Sequence, residues 1–240
     1  IGSLAETLGW AASTNSIQEI RKADCILVIG ADPAQTNPII KNETHLAIRR
    51  NRAQLIVLGS YDIRLTRATQ ISPLLPPSIT LLDRPGMEVP LINAMIQSIF
   101  KEGLDDHGFI EEKTEGGREL RERIAALKPL EAKKDDIEKA ARIFAQAKRA
   151  MILIGAGSWS HLEQKEIAMA SSNLSLVTGH IGKESSGILL LLEKCNSQGA
   201  VDMGVFSEGI GKRDLLQKAE EGKLKALYLA GKNPIVSSPI

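Results

Sequence analysis

The residues of this chain with the clearest chemical content are glycines that each close an apolar run. Gly30 follows Asp24-Cys25-Ile26-Leu27-Val28-Ile29, and Gly59 follows Gln54-Leu55-Ile56-Val57-Leu58. Gly155 follows Ala150-Met151-Ile152-Leu153-Ile154, and Gly231 follows Lys225-Ala226-Leu227-Tyr228-Leu229-Ala230. A glycine at the end of a buried strand lets a ligand approach the backbone, and a helix that starts just beyond it aims N–H groups at phosphates. That is binding chemistry for a dinucleotide-like ligand. The first loop, Gly30-Ala31-Asp32-Pro33-Ala34-Gln35-Thr36-Asn37-Pro38, has the side chains for it. The same loop also reads as an ordinary strand-to-helix turn with its cap, and composition does not separate the two.

Other chemistries are disfavoured by missing patterns. The loop Gly155-Ala156-Gly157-Ser158-Trp159-Ser160 begins as Gly-x-Gly but lacks the third glycine of the Rossmann fingerprint, and no carboxylate follows about 20 residues later to hold a ribose. There is no phosphate-binding Gly-x-x-x-x-Gly-Lys-Ser/Thr run and no Gly-x-Ser-x-Gly nucleophile elbow. The two cysteines, Cys25 and Cys195, are too far apart in sequence for a Cys-x-x-Cys site and read as reduced thiols. His45, His107, His161 and His180 show no ligand spacing. No catalytic residue and no metal site is assigned.

The elements that would position the loops follow from periodicity. The short apolar runs fit strands buried on both faces of a parallel sheet. Helices are expected from about Pro38 to Arg50, with Pro38 in the first turn and Arg49, Arg50 and Arg52 at the end, and from Glu88 to Lys101, where Leu91, Ile92, Met95, Ile96, Ile99 and Phe100 recur at helical spacing. Two more are expected at 135–147, capped by Asp135 or Asp136, and at about 161–172. Pro73, Pro76, Pro77 and Pro85 exclude helix from 71–86 but leave a short strand at Ile79-Thr80-Leu81-Leu82, and 102–134 reads as short solvated helices. The expected fold is α/β: a doubly wound, mostly parallel sheet in three αβα layers, with ligands beyond the carboxyl ends of its strands.

Composition agrees. The 240 residues are 43% hydrophobic and 25% charged, as in ordinary globular domains, and the net charge of +1 is scattered, which disfavours nucleic acid as a partner. The longest apolar run, Ile188-Leu189-Leu190-Leu191-Leu192, is far short of a membrane span. The chain opens on Ile1 without a signal-peptide pattern and is read as an excised fragment, with a first domain over 1–195 and part of a second over 196–240.

Several segments, taken in chain order, resemble the large subunits of the molybdopterin oxidoreductase family, which includes formate dehydrogenases, nitrate reductases and the G subunit of NADH-quinone oxidoreductase. They are Ala12-Ser13-Thr14-Asn15-Ser16-Ile17-Gln18-Glu19-Ile20, the stretch from Ala23 to Pro33, Arg84-Pro85-Gly86-Met87-Glu88 and Gly155-Ala156-Gly157. They continue with Thr178-Gly179-His180-Ile181-Gly182, Asn196-Ser197-Gln198-Gly199-Ala200-Val201-Asp202-Met203-Gly204 and Gly231-Lys232-Asn233-Pro234. The resemblance implies two α/β domains clasping a molybdopterin guanine dinucleotide. Gly30, Asp32 and Gln35 would approach its guanosine end, with Gly86 and Glu88 near the guanine. Gly155, Gly157 and Ser158 would line the pocket, and Asn196, Gln198 and Gly199 would reach the pterin or the phosphates.

The chain departs from the family pattern in three places. Asp32 stands where the family has Asn, an added charge unfavourable near phosphates unless paired. The Asp-Pro-Arg turn after the second strand is replaced by Leu58-Gly59-Ser60-Tyr61-Asp62-Ile63-Arg64. The glycine- and proline-rich motif after Gly182 is replaced by Lys183-Glu184-Ser185-Ser186-Gly187-Ile188-Leu189-Leu190. These departures point to the G-type branch, in which the fold serves as a structural part of an electron-input arm. The expectation is a subunit of a redox complex without a membrane span, cytoplasmic and held at the inner face of the membrane through partner subunits. Molybdopterin guanine dinucleotide would belong to the full-length protein and would not be retained by these residues alone. The alternative is the cofactor-binding region of an active formate dehydrogenase-like molybdenum or tungsten enzyme.

Overall fold

The computed structural model describes residues 4–155, 161–192, 196–203, 217–229, 231 and 233. Five strands form one parallel sheet: β1 (Cys25–Ile29), β2 (Gln54–Gly59), β3 (Ile79–Leu82), β4 (Ala150–Gly155) and β5 (Gly187–Leu191). Their spatial order is β3-β2-β1-β4-β5. The chain therefore builds outward from β1 through β2 to β3, then returns to the other side of β1 with β4 and β5. Between β1 and β4 the winding reverses, and this is the place where sheets of this kind open a crevice.

The helices in chain order are α1 (Ala5–Leu8), α2 (Pro33–Thr36), α3 (Pro38–Asn51), α4 (Arg67–Gln70), α5 (Glu88–Glu102), α6 (His107–Lys113), α7 (Gly117–Ala125), α8 (Lys134–Gln146), α9 (His161–Val177) and α10 (Ser197–Asp202). Single 3-10 turns cover Ile17–Lys22 and Arg64–Thr66. Alternation along the strands sends side chains to opposite faces, so two cores form. Leu27, Ile29, Ile56, Leu58, Ile152, Ile154 and Ile188 pack with Leu91, Ile92 and Met95 of α5, Phe144 of α8 and Leu174 of α9. Ile26, Val28, Leu55, Val57, Met151, Leu153 and Leu189 pack on the other face with Ile40, Ala47 and Ile48 of α3 and Ile20 of the first 3-10 turn. Helices on both faces of a parallel sheet make the expected three-layer α/β fold.

Three details correct the sequence expectations. Helix α8 is capped by neither aspartate: Lys133 stands at the cap with φ 61°, and Asp135 and Asp136 lie in the first turn, where carboxylates complement the helix dipole. The fourth apolar run is not a strand, since residues 223–229 carry no helix or strand and Leu227, Tyr228 and Leu229 are exposed. The sheet is instead completed by β5, which uses the apolar run noted only as too short for a membrane. Contacts divide the chain into two compact units, Ile1–Cys195 and Asn196–Ile240. In the second, the described residues hold α10 and a helical turn at 217–220. No helix among the described residues is long and apolar enough to cross a membrane.

Candidate functional site

The carboxyl ends of β1, β2 and β4 meet at the reversal of winding. Gly30 has φ 57° and donates its N–H to Leu58 O at 3.0 Å, which ties the exits of β1 and β2 together. On the β4 side, a Cβ on Gly155 would meet the Ala31 side chain and come within 2.6 Å of Gly30 O. The close approach that Gly155 permits is therefore between the β1 and β4 exits themselves. Gly59 is different: a Cβ there would rest 3.8 Å from Gly30 N, in ordinary contact.

Asp32 is the polar centre of this crest. It is 3% exposed and caps α2. Its Oδ1 accepts from Ala34 N at 3.1 Å, and its Oδ2 accepts from Gln35 Nε2 at 2.9 Å and from Arg64 N at 3.2 Å. The carboxylate thus holds three donors from two loops, those leaving β1 and β2. These bonds stabilise the buried carboxylate without cancelling its charge, and they engage the Gln35 amide. Sequence reading found Asp32 but missed Arg64, because a backbone N–H brought in by the next loop leaves no signature in residue type.

Gly86 and Glu88 lie on the turn after β3, two ladder spacings from β1, or about 10 Å. Gly86 has φ 88°, and a Cβ there would meet nothing within 4 Å, so this turn faces open space. Glu88 is buried in the first turn of α5 and its Oε2 accepts from Gly86 N at 2.9 Å. This bond lies within one turn, whereas those of Asp32 also reach the loop after β2. Gly157 and Ser158 lie outside the described residues. Asn196, Gln198 and Gly199 belong to the second unit, where Gln198 Nε2 donates to Asp202 Oδ1 at 2.8 Å and Gly199 sits against the Asn196 side chain.

The third departure from the family pattern falls elsewhere. Gly187 pairs with Met151 near the start of β4, so Lys183 to Ser186 lie at the amino edge of the sheet, away from the crest. There Glu19 accepts from Ser185 N, Ser16 N and Asn15 Nδ2, each at 2.8 Å. These bonds, led by the one from Ser185, hold its carboxyl down to about 2. The altered motif therefore carries no information about a ligand at the crest.

The crest fits a dinucleotide in its chemistry. Its two buried carboxylates accept hydrogen bonds from the surrounding turns, its turns are glycine-lined, and the Gly86 turn is open. A family profile described as Molybdopterin oxidoreductase matches residues 7–239. The chain is 35% identical, over 271 aligned positions, to the F420-dependent formate dehydrogenase subunit alpha of Methanocaldococcus jannaschii, covering 100% of this chain and 39% of that protein. It is 28% identical to formate dehydrogenase H of Escherichia coli, covering 98% of this chain and 37% of the relative. The chain thus spans about two fifths of the length of these relatives. Among solved structures, acetylene hydratase from Pelobacter acetylenicus superposes with a TM-score of 0.62 at 25% identity, over 78% of this chain and 25% of that one. A profile match along almost the whole chain, on a doubly wound sheet with a glycine-lined reversal point, shows that the chain belongs to the molybdopterin oxidoreductase family.

Proposed function

We propose that this chain is the dinucleotide-binding α/β region of a formate dehydrogenase-like molybdenum or tungsten oxidoreductase. The observation that carries the reading is the meeting of the β1, β2 and β4 exits in a glycine-lined crest at the reversal of winding, alongside relatives named as formate dehydrogenases. In this reading Gly30 and Gly155 shape the crevice wall. Gly86 admits the nucleoside end, and Asp32, Gln35 and Glu88 hold the loops in shape. Asn196, Gln198 and Gly199 are assigned to the pterin or the phosphates on the family resemblance. The group, a molybdopterin guanine dinucleotide, would carry the molybdenum or tungsten ion that acts as a two-electron redox centre. Partner subunits of a redox complex, on the cytoplasmic side of a membrane, belong to the same proposal.

A second reading, a G-type structural subunit of an NADH-quinone oxidoreductase, is favoured by one feature: the Asp32 carboxylate accepts from three protein donors. None of the relatives named above is such a subunit. The full-length protein, expressed with molybdate and tungstate available, separates the two. Near-stoichiometric metal with formate-dependent dye reduction supports the first reading; a folded, metal-free and inactive protein supports the second.

A further inference from the structure

Among the described residues, five buried side-chain polar atoms have no protein partner: Asp105 Oδ1, Ser175 Oγ, His180 Nδ1, Ser185 Oγ and Ser186 Oγ. They are not scattered. Four lie between positions 175 and 186, at the end of α9 and in the turn that feeds β5. The fifth precedes Asp106, whose backbone N–H donates to Val177 O at 2.9 Å. Buried polar groups are almost always bonded, so four unbonded ones within the stretch 175–186 suggest that something other than protein completes them.

His180 defines the chemistry. Its ring is held edge-on to Phe144 with centroids 5.4 Å apart, and its backbone N–H donates to Ser175 O at 2.8 Å. Nε2 lies 3.1 Å from Phe144 O. A carbonyl only accepts, so Nε2 carries the proton. Burial lowers the imidazole's proton affinity, the bond to Phe144 O opposes it, and Lys183 lowers it further against weaker pulls from Asp24 and Asp106, so the net shift is downward. The neutral ring therefore presents a bare lone pair at Nδ1, enclosed in protein, with serine hydroxyls in the same turn that can donate or accept.

We propose that the end of α9 and the turn 178–186 enclose a structural water site, in which a buried water donates to His180 Nδ1 and completes its bonding with serine hydroxyls of that turn. A water needs two to four polar partners and a polar setting, and this locus supplies both. Such a water ties the end of α9 to the start of β5, where helix and strand otherwise meet through one strained residue, Ser185 at φ 59°.

A crystal structure of the full-length protein, at a resolution that shows ordered solvent, tests the assignment. The expected result is a solvent peak at hydrogen-bond distance, about 2.7–3.2 Å, from both Nδ1 and at least one of Ser175, Ser185 and Ser186 Oγ. An empty site, a serine hydroxyl bonded directly to Nδ1, or an anomalous peak of a cation overturns it. In His180→Phe the peak is expected to vanish, and its persistence overturns the role of Nδ1. If that variant does not fold, the wild-type map decides.

Discussion

At the scale of single residues, Asp32 and Gly155 set the geometry of the crest in different ways. Asp32 acts through three accepted hydrogen bonds, two of them from the helix start it caps and one from the Arg64 backbone. Asp32→Ala removes a cap and leaves Arg64 N without its acceptor, for an expected loss of about 1–3 kcal/mol in a denaturant titration. Asp32→Asn keeps an oxygen acceptor and should cost less. Gly155 acts through what it lacks. Gly155→Ala drives a methyl group into Ala31 and Gly30, and the expected destabilisation is roughly 1–3 kcal/mol. Gly59→Ala, with only ordinary contacts to meet, is the control and should stay near wild type in the same titration. Both crest glycines end apolar runs and look alike in sequence. They differ because β4 exits against the Gly30 loop, whereas β2 lies one step further from the reversal.

At the scale of elements, β5 is an edge strand whose outer side is covered by the segment before the first 3-10 turn. Thr14 N donates to Ile188 O at 2.8 Å, Ile188 N donates to Thr14 Oγ1 at 2.8 Å, and Leu190 N donates to Ser13 Oγ at 3.0 Å. Covering the edge this way blocks its pairing with another chain. Gly187 is the contact point, for a Cβ there would strike the Asn15 and Thr14 side chains. Gly187→Ala should release the segment, read as faster hydrogen exchange of Thr14 and Ile188 amides than in wild type; equal rates would count against the clasp. Glu19 fastens the same segment to the turn before β5. Its folded value, about 2, lies below the ordinary 4.5, so the stability it contributes is complete above 4.5 and is lost as pH falls from there towards 2. Glu19→Gln should therefore flatten the acid limb of a stability-versus-pH curve while lowering stability at neutral pH. A limb as steep as wild type would show that the carboxylate's bonds do not matter. Neither the clasp nor the strand was legible beforehand: a leucine run carries no period that tells strand from helix, and the bonding segment is more than 170 positions away.

At the scale of the whole molecule, these residues match only about two fifths of the length of the formate dehydrogenase relatives. The 240-residue chain purified alone should carry no molybdopterin; fluorescence of the oxidised pterin in the released fraction would refute this. The order of elements through β4, the buried strands and the glycines at their ends were all determined by the sequence alone, because local periodicity and apolar run length are set by neighbours along the chain. So were the segments that carry the family resemblance. Tertiary structure alone decided which strand completes the sheet, that Asp32 accepts from Arg64 N, and that Lys183 to Ser186 stand at the edge opposite the crest. Each of those depends on which distant backbone arrives beside a residue, and the winding reversal between β1 and β4 fixes that arrival only once the sheet is assembled.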